Sequence, residues 1–387
     1  MGFRVVCGAL MAWCLVGGAA SAWAHAGTPK DGPPVEVAPP TGTAPFEAPT
    51  PELAEMVKRL VGGHVAEGAE IWARHLNSPR FSGPTCDADY VRLFSKEAID
   101  ARLAIGYFDY VNDATDSVRY VVSFNNETSL TIGDNVVFSP FIYAEAMSML
   151  QRPCDPSGTG TQICGFHGFG GRLEKQIPGI SGQGSVTFRL RVTQAAASPF
   201  HHELNTGGGR LAGLQDRMSA ECEDNFFGGL GEADVVAYMG HARNGGGPDC
   251  RPTVLNAIGH PDYADHYKVA RPGFHQMVDS LKLRSSLGAP FMVSIMACLS
   301  QVWFGEDLRK VAPQSRLVLT GDLMDNNALL TGALASLDAV MRRQCPEAID
   351  GEATLPPGIA FLPNPVRVRG GTGYEVRSFA PANGGRR

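Results

Sequence analysis

Val235-Val236-Ala237-Tyr238-Met239 and, further along, Phe291-Met292-Val293-Ser294-Ile295-Met296-Ala297 are the two stretches whose reading decides the fold. Each is apolar almost without interruption and too short for a typical buried helix. Such a run reads as a strand covered on both faces. Leu317-Val318-Leu319 is a third. Around them the spacing changes to that of amphipathic helices: Leu211, Leu214, Met218 and Cys222; Phe274, Met277, Val278 and Leu281; Phe304, Leu308 and Val311; Leu330, Leu334, Leu337 and Met341. Strands apolar on both faces, alternating with helices, predict an α/β three-layer sandwich with a mostly parallel sheet.

Working outward, Val186, Phe188, Leu190 and Val192 alternate with Thr187, Arg189 and Arg191, a strand with one wet face. This regular region spans 185–345. Before it, 52–184 reads as a helical and mixed N-terminal extension. Leu53, Met56, Val57, Leu60 and Val61 predict a helix, and a second helical piece carries Trp72 and Leu76. Residues 118–124 read as a strand, 139–151 as a helix, and the Gly- and Pro-rich 153–184 as a loop pinned by Cys154 and Cys164. Residues 25–51 form a Pro-rich linker. Residues 346–387 return to Pro and Gly, with a small hairpin expected around Gly370-Gly371-Thr372-Gly373.

Residues 1–24 carry Arg4, an apolar stretch from Val5 to Val16, and Ala22-Trp23-Ala24, the pattern of a secretory signal. Its removal would take away Arg4, Cys7 and Cys14. Of nine cysteines, Cys86, Cys154, Cys164, Cys222, Cys250, Cys298 and Cys345 remain. An odd count in an exported chain leaves at least one thiol without a partner, a pattern of reactive cysteines. The expected location is secreted or periplasmic, with no membrane association after signal removal. With 33 Lys and Arg against 39 Asp and Glu, the chain lacks the broad basic field of a nucleic-acid binder.

Sites in parallel α/β sheets form at the carboxyl ends of strands. The first apolar block ends in Gly240-His241, the later one in Cys298. Neighbouring strands would bring these two together. A histidine and a following helix N-terminus both favour thiolate, so Cys298 reads as a nucleophile and His241 as its acid and base. The backbone N–H of Cys298, with one from the loop after His241, would bind an oxyanion.

The two blocks, Asp234 to His241 and Phe291 to Cys298, resemble the signature of the caspase-like cysteine peptidases, the group of caspases, legumains, clostripain and gingipains. Asn244-Gly245-Gly246-Gly247-Pro248-Asp249 also resembles a segment of uncharacterised secreted bacterial proteins near that group. The resemblance covers about 185–345. It implies a caspase-like sheet, an exported peptidase acting on peptide or protein substrates through a Cys298–His241 dyad and an acyl-enzyme, and no cofactor or metal. One position departs: the family has Gly after the histidine, where this chain has Ala242, which still offers an N–H.

Other features read more plainly. The Gly-rich run 244–248 lacks the Lys and Ser/Thr of a phosphate loop and reads as a tight surface loop. His167 follows no apolar strand. His201-His202-Glu203 has no matching second ligand pair and reads as a solvated loop. Asp322 follows the third strand as a turn or N-cap residue; reaching the pocket, it would favour a basic substrate residue. Cys222 and Cys250 flank the His241 region and are read as tying it down. The Ala242 departure keeps a second function open, an exported binding or scaffold module without turnover.

Overall fold

The computed structural model of the chain describes residues 62, 65, 66, 68–78, 81–109, 120–124, 128–132, 137–198 except 157, 159 and 181–183, 205, 206, 211–345 except 258–260, 285–287, 322, 323 and 325, and 374–377. The signal segment 1–24, the linker 25–51, the helix at Leu53–Val61, His201-His202-Glu203, Asp322 and Gly370–Gly373 lie outside these residues.

The apolar blocks become strands β7 (Val235–Met239), β8 (Met292–Met296) and β9 (Arg316–Thr320), buried at every position. The half-wet strand becomes β6 (Ser185–Gln194). At the centre, however, stands β1, Ala98–Ile105. Ile99, Ala101, Leu103 and Ile105 point into one core while Asp100 and Arg102 point away. It pairs in parallel with both β6 and β7. The boundary expected at 184/185 therefore does not divide the sheet: the stretch 52–184 supplies its central strand. The stretch 153–184, expected as a loop, holds β4 (His167–Phe169) and β5 (Arg172–Pro178), which add antiparallel strands beside β6. A two-stranded hairpin of β2 (Tyr120–Phe124) and β3 (Thr128–Ile132) stands apart.

The full order is β10-β9-β8-β7-β1-β6-β5-β4, with β10 (Tyr374–Arg377) antiparallel to β9. Its parallel part runs β6-β1-β7-β8-β9. The chain steps from β1 to β6 on one side, then returns to β7 on the other. In such an order the crevice beside the first strand, here between β1 and β7, is the topological switch point where ligands bind.

Helices cover both faces. On one lie α1 (Asp87–Phe94), α2 (Ser139–Gln151) and α7 (Asn326–Met341), packed on Leu103, Phe188, Ala237 and Met296. On the other lie α3 (Ala212–Glu223), a π-turn (Asp224–Gly228), α4 (Gly229–Glu232), α5 (Pro272–Leu283) and α6 (Ser300–Val311). These bury Phe226, Met277 and Phe304 against Val236, Tyr238, Val293 and Ile295. The fold is thus a mixed α/β sandwich with a mostly parallel central sheet. Trp72, in helical residues 68–76, is fully buried in the first core.

Among the described residues no helix is long and apolar enough to cross a membrane. Three disulfides join Cys86 to Cys345, Cys154 to Cys164 and Cys222 to Cys250, and among the described residues Cys298 is the cysteine outside these disulfides.

Candidate functional site

β7 and β8 are hydrogen-bonded neighbours in a register that runs from Val235 opposite Met292 to Met239 opposite Met296. Gly240 extends the ladder by donating to Met296 O at 3.0 Å. His241 and Cys298 each come two residues after the last register pair. Side chains alternate along a strand, and Val235, Ala237 and Met239 face the same core as Met292 and Met296. His241 and Cys298 follow the carboxyl ends of these adjacent strands, His241 beside Phe108 and Cys298 beside Met324, both of which belong to the first core.

His241 is held from the next strand over. β1 is in register with β7 up to Ile105 opposite Met239, and Gly106 N–H donates to Met239 O at 2.8 Å. Residues 106–109 therefore run on beside 240–243, across the switch point. The imidazole stacks on Phe108, with ring centroids 4.2 Å apart and planes at 16°. Its Nε2 is 2.6 Å from the backbone oxygen of Asp109. A carbonyl can only accept, so Nε2 carries the proton and Nδ1 the lone pair. Start-of-helix contacts from α2 fix this support: Ser139 Oγ donates to Gly106 O at 2.7 Å and accepts from Phe108 N–H at 2.9 Å.

Burial holds the His241 pKa down to about 4, and the nearby Arg243 guanidinium pushes the same way. The Asp109 carboxylate, with Oδ1 3.8 Å from Nε2, opposes them. At neutral pH the ring is a neutral base.

Cys298 lies in the turn between β8 and α6 and is only half-buried. Its Sγ lies 3.7 Å from Met324 O. Leu299 adopts a left-handed conformation, φ 55°, and α6 begins at Ser300. The thiol thus sits just before a helix N-terminus, where the dipole favours negative charge. Ser300 anchors the turn by donating through Oγ to Ile295 O at 2.7 Å.

Ala242 is buried, and its carbonyl accepts the N–H groups of Gly245 at 2.9 Å and Gly247 at 3.0 Å. Arg243, Asn244 and Gly245 follow with positive φ. That tight reversal sends Arg243 inward, with 3% of its side chain exposed. It donates to Asp109 Oδ1 at 2.5 Å, to Thr253 Oγ1 at 2.6 Å, and more distantly to Asp249 Oδ2 at 3.4 Å. Thr253 in turn donates to the second Asp109 oxygen, and Tyr267 to Asp249 Oδ2 at 3.2 Å. The run 244–248 is tight, as read, but mostly buried rather than a surface loop. Three consecutive glycines let it pass beneath Tyr267 and Trp303 with no side chains in the way. The Cys222–Cys250 disulfide ties α3 to the far end of this segment.

Of the other residues singled out in the sequence, His167 is exposed on β4, 3.4 Å from Glu174. The residues missed by sequence reasoning are Phe108, Asp109 and Arg243. The first two follow a strand whose one signal was its alternation, Ile99, Ala101, Leu103 and Ile105. Compared with known protein families, curated proteins and solved structures, the chain matches none.

Proposed function

We propose that the chain is an exported cysteine peptidase of caspase-like type. The observation that supports this reading is that Cys298 and His241 follow the carboxyl ends of the adjacent parallel strands β8 and β7 at corresponding positions. His241 Nδ1 takes the thiol proton, and the Cys298 thiolate attacks the substrate carbonyl carbon. The oxyanion of the tetrahedral adduct is received by the backbone N–H groups of Cys298 and Ala242. The C–N bond then breaks as the imidazolium returns its proton to the leaving amine, giving a thioester on Cys298. Water, deprotonated by His241, hydrolyses that thioester and restores the thiol. Asp109 serves this cycle twice: its backbone oxygen fixes the tautomer, and its carboxylate offsets Arg243 when the ring becomes charged. The three disulfides support export, since such bonds persist in oxidising compartments.

A second reading, a binding or scaffold module without turnover, is favoured by Arg243, whose buried charge disfavours the imidazolium that catalysis requires. The deciding experiment is cleavage of a peptide library by wild type and Cys298→Ala. Peptidase action predicts a loss of about 10³-fold or more in the variant. Equal rates would remove Cys298 as nucleophile, and no cleavage by wild type would favour the binding module.

A further inference from the structure

The sheet face opposite the Cys298–His241 ends holds a second feature. Strands β1, β6 and β5 bring Arg102, Arg191 and Arg172 level with one another: Arg102 is the partner of Arg191, and Arg191 of Arg172. One step along, Arg189 stands between Asp100 and Glu174. Neighbouring strands lie about 4.8 Å apart, and like charges directly opposite one another destabilise a sheet. Part of the cost is met within the chain. Arg102 donates to Asp100 at 2.8 Å and to Glu232 at 3.1 Å, and Arg191 to Asp224 at 2.7 Å. Arg172 and Arg189, both exposed, have no ion-pair partner among the described residues. They line an open groove of about 510 Å³, walled by Glu232 on α4 and by β4.

We propose that this groove binds a small di- or tricarboxylate through Arg172 on β5 and Arg189 on β6, with Arg191, also on β6, directly opposite Arg172. Guanidinium forks match carboxylates in bidentate geometry. Here the positive charge is spread over several strands, which suits a ligand whose own charges are spread over separate carboxylates. Asp100, Glu174 and Glu232 also line the groove, so a bound ligand must set its carboxylates on the arginines and away from these three. The site is independent of the peptidase reading, because none of its residues belongs to the Cys298–His241 ends.

Titration calorimetry of the full chain with citrate at low ionic strength tests this. The expected result is saturable binding that weakens at least about tenfold in Arg172→Gln/Arg189→Gln and is unchanged in Arg309→Gln, a substitution on α6 away from the groove. Both arginines are exposed and have no ion-pair partner among the described residues, so folding should survive; either single substitution serves if the double one does not fold. Absence of saturable citrate binding, equal binding by the double variant, or tighter binding of inorganic phosphate than of citrate would overturn the proposal.

Discussion

Arg243 and Asp109 expose 3% and 1% of their side chains, and each is the other's main compensation. Taking away one partner of a buried pair leaves a desolvated charge with nothing to balance it. Asp109→Ala should therefore destabilise the chain by about 3–5 kcal/mol, visible as a lower denaturation midpoint. Removing both charges together, as Asp109→Leu/Arg243→Met, should recover a large part of that loss. If the double variant is as unstable as the single one, the pair is not what holds the segment. Beside them, His241 makes stability depend on pH. Its folded pKa, about 4, lies below the unfolded value near 6.5, so the unfolded chain binds the proton more tightly. Stability is then complete above about pH 6.5 and is lost as pH falls toward 4. His75, also held near 4 by burial and by Arg342, adds the same trend. The buried carboxyls of Asp249 and Asp338 are raised by burial and act with opposite sign. Comparing variants isolates His241: between pH 7.5 and pH 5, wild type should lose about 2 kcal/mol more than His241→Gln. Parallel curves from denaturant titrations at both pH values would contradict this.

Elements meet closely where α5 begins. Gly273 donates to Gly246 O at 3.1 Å, and a Cβ placed on it would stand 1.9 Å from Pro248 O. That oxygen is backbone and cannot swing aside. Gly273→Ala should push α5 off the 246–248 turn, lowering stability by about 1–3 kcal/mol and loosening the support of Arg243. The change would show as faster amide exchange in 243–250; unchanged exchange would mean the turn is not set by this contact. The same scale explains what could be read from the sequence. α2, β7 and β8 were legible because long apolar spacing or continuous apolar runs leave few alternatives. His241 and Cys298 were legible because each closes such a run. β1 was not, since Asp100 and Arg102 interrupt its apolar residues and only Ile99, Ala101, Leu103 and Ile105 carry the period. With β1 unread, Phe108 and Asp109 had no strand end to belong to. β5 was masked by the Gly and Pro around it. Arg243 could not be read as buried, because nothing local distinguishes an inward arginine from a solvated one. Its direction is set by positive φ at three successive residues and by carboxylates distant in sequence.

Across the whole molecule, the Cys86–Cys345 disulfide joins the start of α1 to the residues after α7, 259 positions apart. It brackets nearly all of the sheet, including β1 from the stretch before 185. The chain-entropy account assigns a loop of that length about 5.6 kcal/mol, against about 2.7 kcal/mol for the ten-residue Cys154–Cys164 loop. Measured disulfide contributions typically fall below that account, at about 2–4 kcal/mol, and here other contacts hold the same ends in the folded state. Cys86 N–H donates to Arg343 O at 2.9 Å, Cys345 N–H to Pro84 O at 3.0 Å, and Tyr90 OH to Gln344 O at 2.8 Å. Arg343 Nε lies 2.8 Å from Asp87 Oδ1. These bonds keep the ends together in the folded state but do not confine the unfolded chain, so the covalent link still removes unfolded entropy. Cys86→Ala/Cys345→Ala should therefore fold, with stability lower by about 2–4 kcal/mol and a Tm lower by about 3–6 °C. In the chain lacking residues 1–24, native thiol labelling should find one reactive group, Cys298, before and after this substitution. A Tm that does not change would mean the link does not form in solution, and two further labelled thiols in the unsubstituted chain would say the same.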